Sequence, residues 1–171
     1  MVLARDGSLL RAYLSPDHKW RFRTAVEHLP PHVTAGLICL EDRRFKLHPG
    51  VDPVAVVRAF AQNLSAGRTV SGASTLTMQV SRMLAPAPRN WWSKLDESWR
   101  ALRLEARLSK EEILGLYLTY APFGGNLEGL EGAAQRYFGK PAAKLSAAEA
   151  AFLYLLPQSP KRWSQREAVN L

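Results

Sequence analysis

A chain of 171 residues, 47% of them hydrophobic, can bury one substantial core, which excludes a disordered tail. Its net charge of +8 and pI near 10.0 point to an anionic partner: nucleic acid, an anionic membrane surface or a phosphate-bearing substrate. The single cysteine, Cys39, rules out an intramolecular disulfide, and its place in the apolar run Leu37-Ile38-Cys39-Leu40 predicts a buried, inert thiol. The longest apolar stretch, Ala147 to Leu156, is about half the roughly 20 residues needed to cross a bilayer, and no signal-peptide pattern stands at Met1. Any membrane anchor is therefore expected to be missing from this chain or never to have been there.

In chain order, residues 1–30 read as an irregular or partly extended arm or linker, with Asp6-Gly7 as a turn signal for a weak hairpin. Pro30-Pro31 ends that region. A helix is then expected from about His32 to Leu47, stopped by Pro49-Gly50. A second runs from Pro53 to Leu64 with Val54, Val57, Ala61 and Leu64 at helical spacing. A third spans about Thr75 to Leu84, ahead of Pro86 and Pro88. The longest signal, Asn90 to Leu108, is apolar on two sides: Leu95, Trp99, Leu102 and Ala106 on one, and Ala101, Leu104 and Leu108 on the other. It therefore predicts a central, buried helix. Ser109 with Glu112, and Ser146 with Glu149, have the spacing of capping boxes, and they open helices to Leu118 and Leu155. Between them lie an Ala121–Gly125 loop and a helix from about Leu127 to Tyr137, capped by Gly139. No sustained period-2 alternation follows residue 30, so the body, 31–171, is expected to be all-α.

Two carboxylates carry the chemical argument. A helix through Thr34 to His48 would put Glu41 between Ile38 and Phe45, a setting that suits a general base; a solvated pairing with Arg44 or Lys46 is the alternative. Lys94 shares a helical face with Glu97 one turn on, which favours an ionised Glu97. Opposite biases of this kind are how glycosyl-processing enzymes divide acid, base and electrostatic roles. Gly72-Ala73-Ser74-Thr75-Leu76-Thr77 offers small residues, hydroxyls and the N–H groups of a helix start. These suit an anion, or an ordinary N-cap on Ser74, and Arg82, Arg89 and Lys94 follow. The four histidines form no metal cage, since Pro30-Pro31 separates His28 from His32.

Read together, Glu41-Asp42-Arg43-Arg44-Phe45 with His48 and Gly50, Gly72 to Gln79, Lys94-Leu95-Asp96-Glu97, Ser109 to Leu114 with Tyr117-Leu118, and Leu156 to Pro160 resemble five ordered motifs. They are those of the peptidoglycan glycosyltransferase (transglycosylase) domain of class A penicillin-binding proteins, and the wording is most similar to the 1C branch. The resemblance implies a lysozyme-like, mainly α-helical fold with a membrane-facing jaw at residues 51–71. It also implies polymerisation of lipid II into glycan strands with inversion and release of undecaprenyl pyrophosphate. By position, Glu41 would be the general base. Glu97 would assist the leaving group, directly or through a divalent cation such as magnesium or manganese. Ser74, Thr75, Gln79, Arg82, Arg89 and Lys94 would hold the donor, while Asp42, Phe45, His48 and Gln158 would play structural or accessory parts.

The implied partners are lipid II, the growing glycan strand, a membrane surface and other cell-wall synthesis proteins, with no nucleic acid. The implied location is the periplasmic face of the bacterial inner membrane. The chain departs from the pattern at Met78, Ser93 and Thr119, where glutamine, arginine and asparagine are usual. Its end, short of an expected closing helix and without a transpeptidase domain, reads as a fragment, a trimmed form or a reduced stand-alone form. Two other readings share these features: a lysozyme-like peptidoglycan-cleaving enzyme and a silent lipid II or cell-wall binding domain.

Overall fold

The computed structural model describes residues 2–3, 5, 9–11, 13–68, 70, 72–88 and 90–157. The Asp6-Gly7 turn, Arg89 and Gln158 lie outside the described residues. The fold is mainly α, and among the described residues it has seven α-helices and five short strands. The chain forms two compact units, one of residues 1–37 with 115–171 and the other of residues 38–114.

In the first unit, β1 (Val2–Leu3) pairs antiparallel with β2 (Leu9–Arg11). Strand β3 (Trp20–Arg21) runs parallel to β5 (Leu127–Glu128), which is antiparallel to β4 (Pro122–Gly124). The residues expected to form a plain loop at 121–125 thus include a strand, because two- and three-residue strands carry no readable alternation. Arg21 donates to Glu128 Oε2 from Nε at 2.8 Å and stacks over Tyr120, fastening β3 to β5 and to the end of α5 (Lys110–Tyr120). Thr24 donates to the Leu118 carbonyl at 3.0 Å, and Thr119 Oγ1 accepts the Thr24 N–H at 3.2 Å, so the threonine at the atypical position 119 has a partner. Helices α6 (Leu130–Phe138) and α7 (Ala147–Leu155) bury Leu130, Ala133, Ala134, Ala150 and Leu153. The Tyr154 hydroxyl donates to the carbonyl of Val33 on α1 (Pro31–Glu41).

The expected cap on α7 is complete. Ser146 accepts the Glu149 N–H, Glu149 Oε2 accepts the Ser146 N–H at 2.7 Å, and Lys140 Nζ lies 2.7 Å from the same oxygen. The Lys140 ammonium first, then Ser146, hold the Glu149 carboxyl down at about 2. Because that lies below an unfolded glutamate's value of about 4.3, the cap's contribution is present above that pH and lost as pH falls toward 2. A carboxyl-carbon NMR titration of Glu149 is expected to give a midpoint near 2. An ordinary midpoint would mean that the cap does not form.

The second unit contains α2 (Pro53–Ala66), α3 (Leu76–Leu84) and α4 (Trp91–Glu105). Asp52 caps α2 by accepting the Val54 and Ala55 N–H groups, while its other oxygen lies 3.2 Å from Arg44 Nε. Two expectations are corrected here. Helix α4 is not a buried central helix: Trp91, Trp92, Leu95 and Trp99 are exposed and Ala101 alone is buried. An apolar stripe marks a face but does not say whether protein covers it. Cys39 is exposed rather than buried, because the buried positions of α1 are Val33 and Leu37.

Candidate active site

The site begins where a helix breaks. Periodicity alone would carry α1 to His48, but it ends at Glu41, and a single 3-10 turn follows at Phe45–Leu47. The reason is Asp42, whose buried carboxylate is used elsewhere. Its Oδ2 accepts the Leu76 N–H at 2.9 Å and lies 3.0 Å from His48 Nε2. Gly50 N–H donates to His48 Nδ1 at 3.2 Å, so in the neutral imidazole the proton sits on Nε2 and points at Asp42. A carboxylate at the start of α3 also faces the positive end of that helix. Thr75 closes the arrangement: its Oγ1 donates to the Gly50 carbonyl at 2.5 Å and accepts the Met78 N–H at 3.1 Å.

These bonds change the expected anion site. The helix-start N–H groups of Leu76 and Met78 are already taken by protein oxygens, and the cap is Thr75 rather than Ser74. Thr75 lines the same cavity as Glu41, but it is buried and its hydroxyl hydrogen is committed to the Gly50 carbonyl. Phe45 and His48 are buried as well. Met78, where glutamine is usual, is buried, so an amide there would need a protein partner in place of water.

Above this base, Glu41 is half-buried, and its Oε2 accepts a hydrogen bond from Gln79 Nε2 at 3.1 Å. Glu41 lines a cavity of about 410 Å³ together with Ser74, Arg43, Arg58 and Cys39. A second cavity, of about 560 Å³, is lined by Arg82, Trp91, Ser93, Lys94 and Glu97. Lys94 joins the two, because its ammonium donates to Ser74 Oγ at 2.5 Å and to Glu97 Oε2 at 3.4 Å. Arg82 Nη1 lies 3.9 Å from Glu97 Oε1. Gln79 and Arg82, three residues apart on α3, thus reach the two carboxylates from one helix face. Ser93, where arginine is usual, lines the second cavity without adding charge.

A divalent cation beside Glu97 would be held by that carboxylate together with phosphate oxygens of the substrate. Glu97 is a single carboxylate facing two protein cations, and among the described residues no three His, Cys, Asp or Glu side chains converge. Positive charge near Glu97 comes from Lys94 and Arg82. Sequence reasoning missed Glu105, which lies beneath the site and accepts from Thr77 Oγ1 at 2.6 Å.

The family model described as Transglycosylase matches residues 6–170. The chain belongs to the Transglycosylase family. It is 48% identical over 171 residues to penicillin-binding protein 1C of Escherichia coli (strain K12), covering 97% of this chain and 22% of that protein. It is 41% identical over 149 residues to the biosynthetic peptidoglycan transglycosylase of Rhodospirillum centenum, covering 86% of this chain and 63% of that protein. With penicillin-binding protein 1A of Escherichia coli the identity is 37% over 164 residues, 95% of this chain and 19% of that protein. The chain thus spans about a fifth of the penicillin-binding proteins it matches. The transglycosylase match takes in both carboxylates and every residue described around them.

Proposed function

We propose that this transglycosylase polymerises lipid II into β-1,4-linked glycan strands with inversion at the anomeric carbon, releasing undecaprenyl pyrophosphate. The observation that carries the reading is the Lys94 bridge: Ser74, from the cavity that holds Glu41, and Glu97 share one ammonium. Inverting transfer needs a base on the acceptor and charge stabilisation on the leaving group. Glu41, oriented by Gln79, takes the proton from the acceptor 4-hydroxyl as that oxygen bonds to the donor's anomeric carbon. The bond from that carbon to the pyrophosphate breaks, and Lys94 and Arg82 neutralise the departing charge. Glu97 holds both cations in place.

Labelled lipid II incubated with the protein should give polymer, and preformed glycan should remain intact. Shortened glycan with no polymer would overturn this reading in favour of a cleaving enzyme. Bound lipid II without product would favour a silent binding domain.

A lipid-borne substrate also implies a membrane surface. Helix α2 buries only Ala55 and Ala59, yet it exposes Val57 and Phe60 at 69% each and Leu64 at 73%. Its large apolar residues face outward, as in a helix that lies in a bilayer interface. Val57→Asp and Phe60→Asp should each reduce co-sedimentation with phospholipid vesicles several-fold. Unchanged binding would remove α2 from the membrane contact. On this reading the protein works at the extracytoplasmic membrane face, beside other cell-wall synthesis proteins.

A further inference from the structure

Lys110 is a cation that the proposed transfer does not use. Its ammonium donates to Glu105 Oε1 at 2.7 Å and to the His48 carbonyl at 2.6 Å, and it lies 4.5 Å from the centre of the Phe45 ring. Glu105 Oε1 is shared with the Thr77 hydroxyl, and the Glu105 side chain is only 8% exposed. One ion pair therefore touches three segments: the turn after Glu41, α3 and the last residue of α4.

Each of those segments carries part of the site. His48 holds Asp42, the neighbour of Glu41. Thr77 lies two residues before Gln79 on α3, and Glu105 ends the helix that carries Lys94 and Glu97. Neither Lys110 nor Glu105 lines either cavity, so neither contacts substrate there. From this we infer that Glu105 and Lys110 are positioning residues for the transfer, holding the Glu41 turn, α3 and α4 at the spacing the reaction needs. The inference rests on the glycosyltransferase reading above. Apolar contacts between helices are non-directional and resist a small slide weakly, whereas these charge-assisted bonds are short and directional. A misplacement of about 1 Å at reacting groups can cost on the order of 100-fold in rate.

The double substitution Glu105→Gln with Lys110→Met removes both charges together and leaves neither buried alone. Its expected result is a folded protein by circular dichroism, lipid II affinity within about twofold of wild type and kcat about 100-fold lower. Thr77→Val keeps both charges and cuts only the link to α3, and it should lower kcat about tenfold with KM unchanged. If the double variant fails to fold, the Thr77→Val result decides alone. A kcat close to wild type in a folded variant, or a loss confined to KM, would overturn the inference while leaving the glycosyltransferase reading in place. A wild-type chain that makes no polymer overturns both.

Discussion

Glu41→Gln is expected to lower polymer formation from lipid II by about 10²–10⁴-fold without destabilising the protein, because general-base catalysis contributes on that order. Gln is nearly isosteric with Glu, and its carbonyl oxygen can still accept the Gln79 amide that now orients Glu41. The substitution keeps the side chain's size and removes the carboxylate that we propose as the base. Stability should move the other way. Glu41 is the last residue of α1, where the helix's negative end disfavours a carboxylate, so neutralising it should be neutral or stabilising by about 0.3–1 kcal/mol. A residue kept for packing would show the opposite pattern, with stability lost and chemistry spared. Polymer yield from labelled lipid II and a thermal melt on the same samples test both halves. Unchanged yield would assign the activity to another protein in the preparation.

What the sequence makes legible, and what it hides, follows from where each signal resides. Helix ends are written locally: Ser109 with Glu112, Ser146 with Glu149 and Gly139 sit in caps as their spacing predicts. The end of α1 is written 34 residues away, because Asp42 leaves the helix to accept the Leu76 N–H. No local window contains that information. The same holds for Thr75, whose hydroxyl donates to the Gly50 carbonyl 25 residues away. Glu105 and Lys110 are five apart, across the break between α4 and α5, so the spacing of a helical ion pair does not reveal them. The outward stripes of α2 and α4 were visible as apolar patterns, but the pattern itself does not tell core from lipid or solvent. The Lys94–Glu97 pair is legible because its contact is one helical turn long. Their bridge to Ser74 joins two helix ends and needed the fold.

A large stability loss is expected at Gly50. Its φ is +102°, a conformation side chains rarely adopt, and a Cβ there would stand 2.8 Å from the Ala101 carbonyl oxygen and 2.9 Å from its carbon. Those are backbone atoms inside α4 and cannot swing aside. Gly50 cannot retreat either, because its N–H is held by His48 and its carbonyl by Thr75. Strain of about 1–3 kcal/mol and overpacking of a further 1–3 kcal/mol would take a large share of a typical domain's roughly 5–15 kcal/mol. At about 2–4 °C per kcal/mol for a chain this long, Gly50→Ala should lower the melting temperature by on the order of 10 °C. Gly67→Ala is the matched control. Gly67 also has positive φ, at +61°, but a Cβ there meets nothing within 4 Å, so it should cost only the left-handed backbone penalty of about 1–2 kcal/mol. Equal shifts for the two variants would mean that the turn does not press against Ala101. The fastening of the Glu41 turn to α3 and α4, on which the proposed chemistry depends, would then be looser than described.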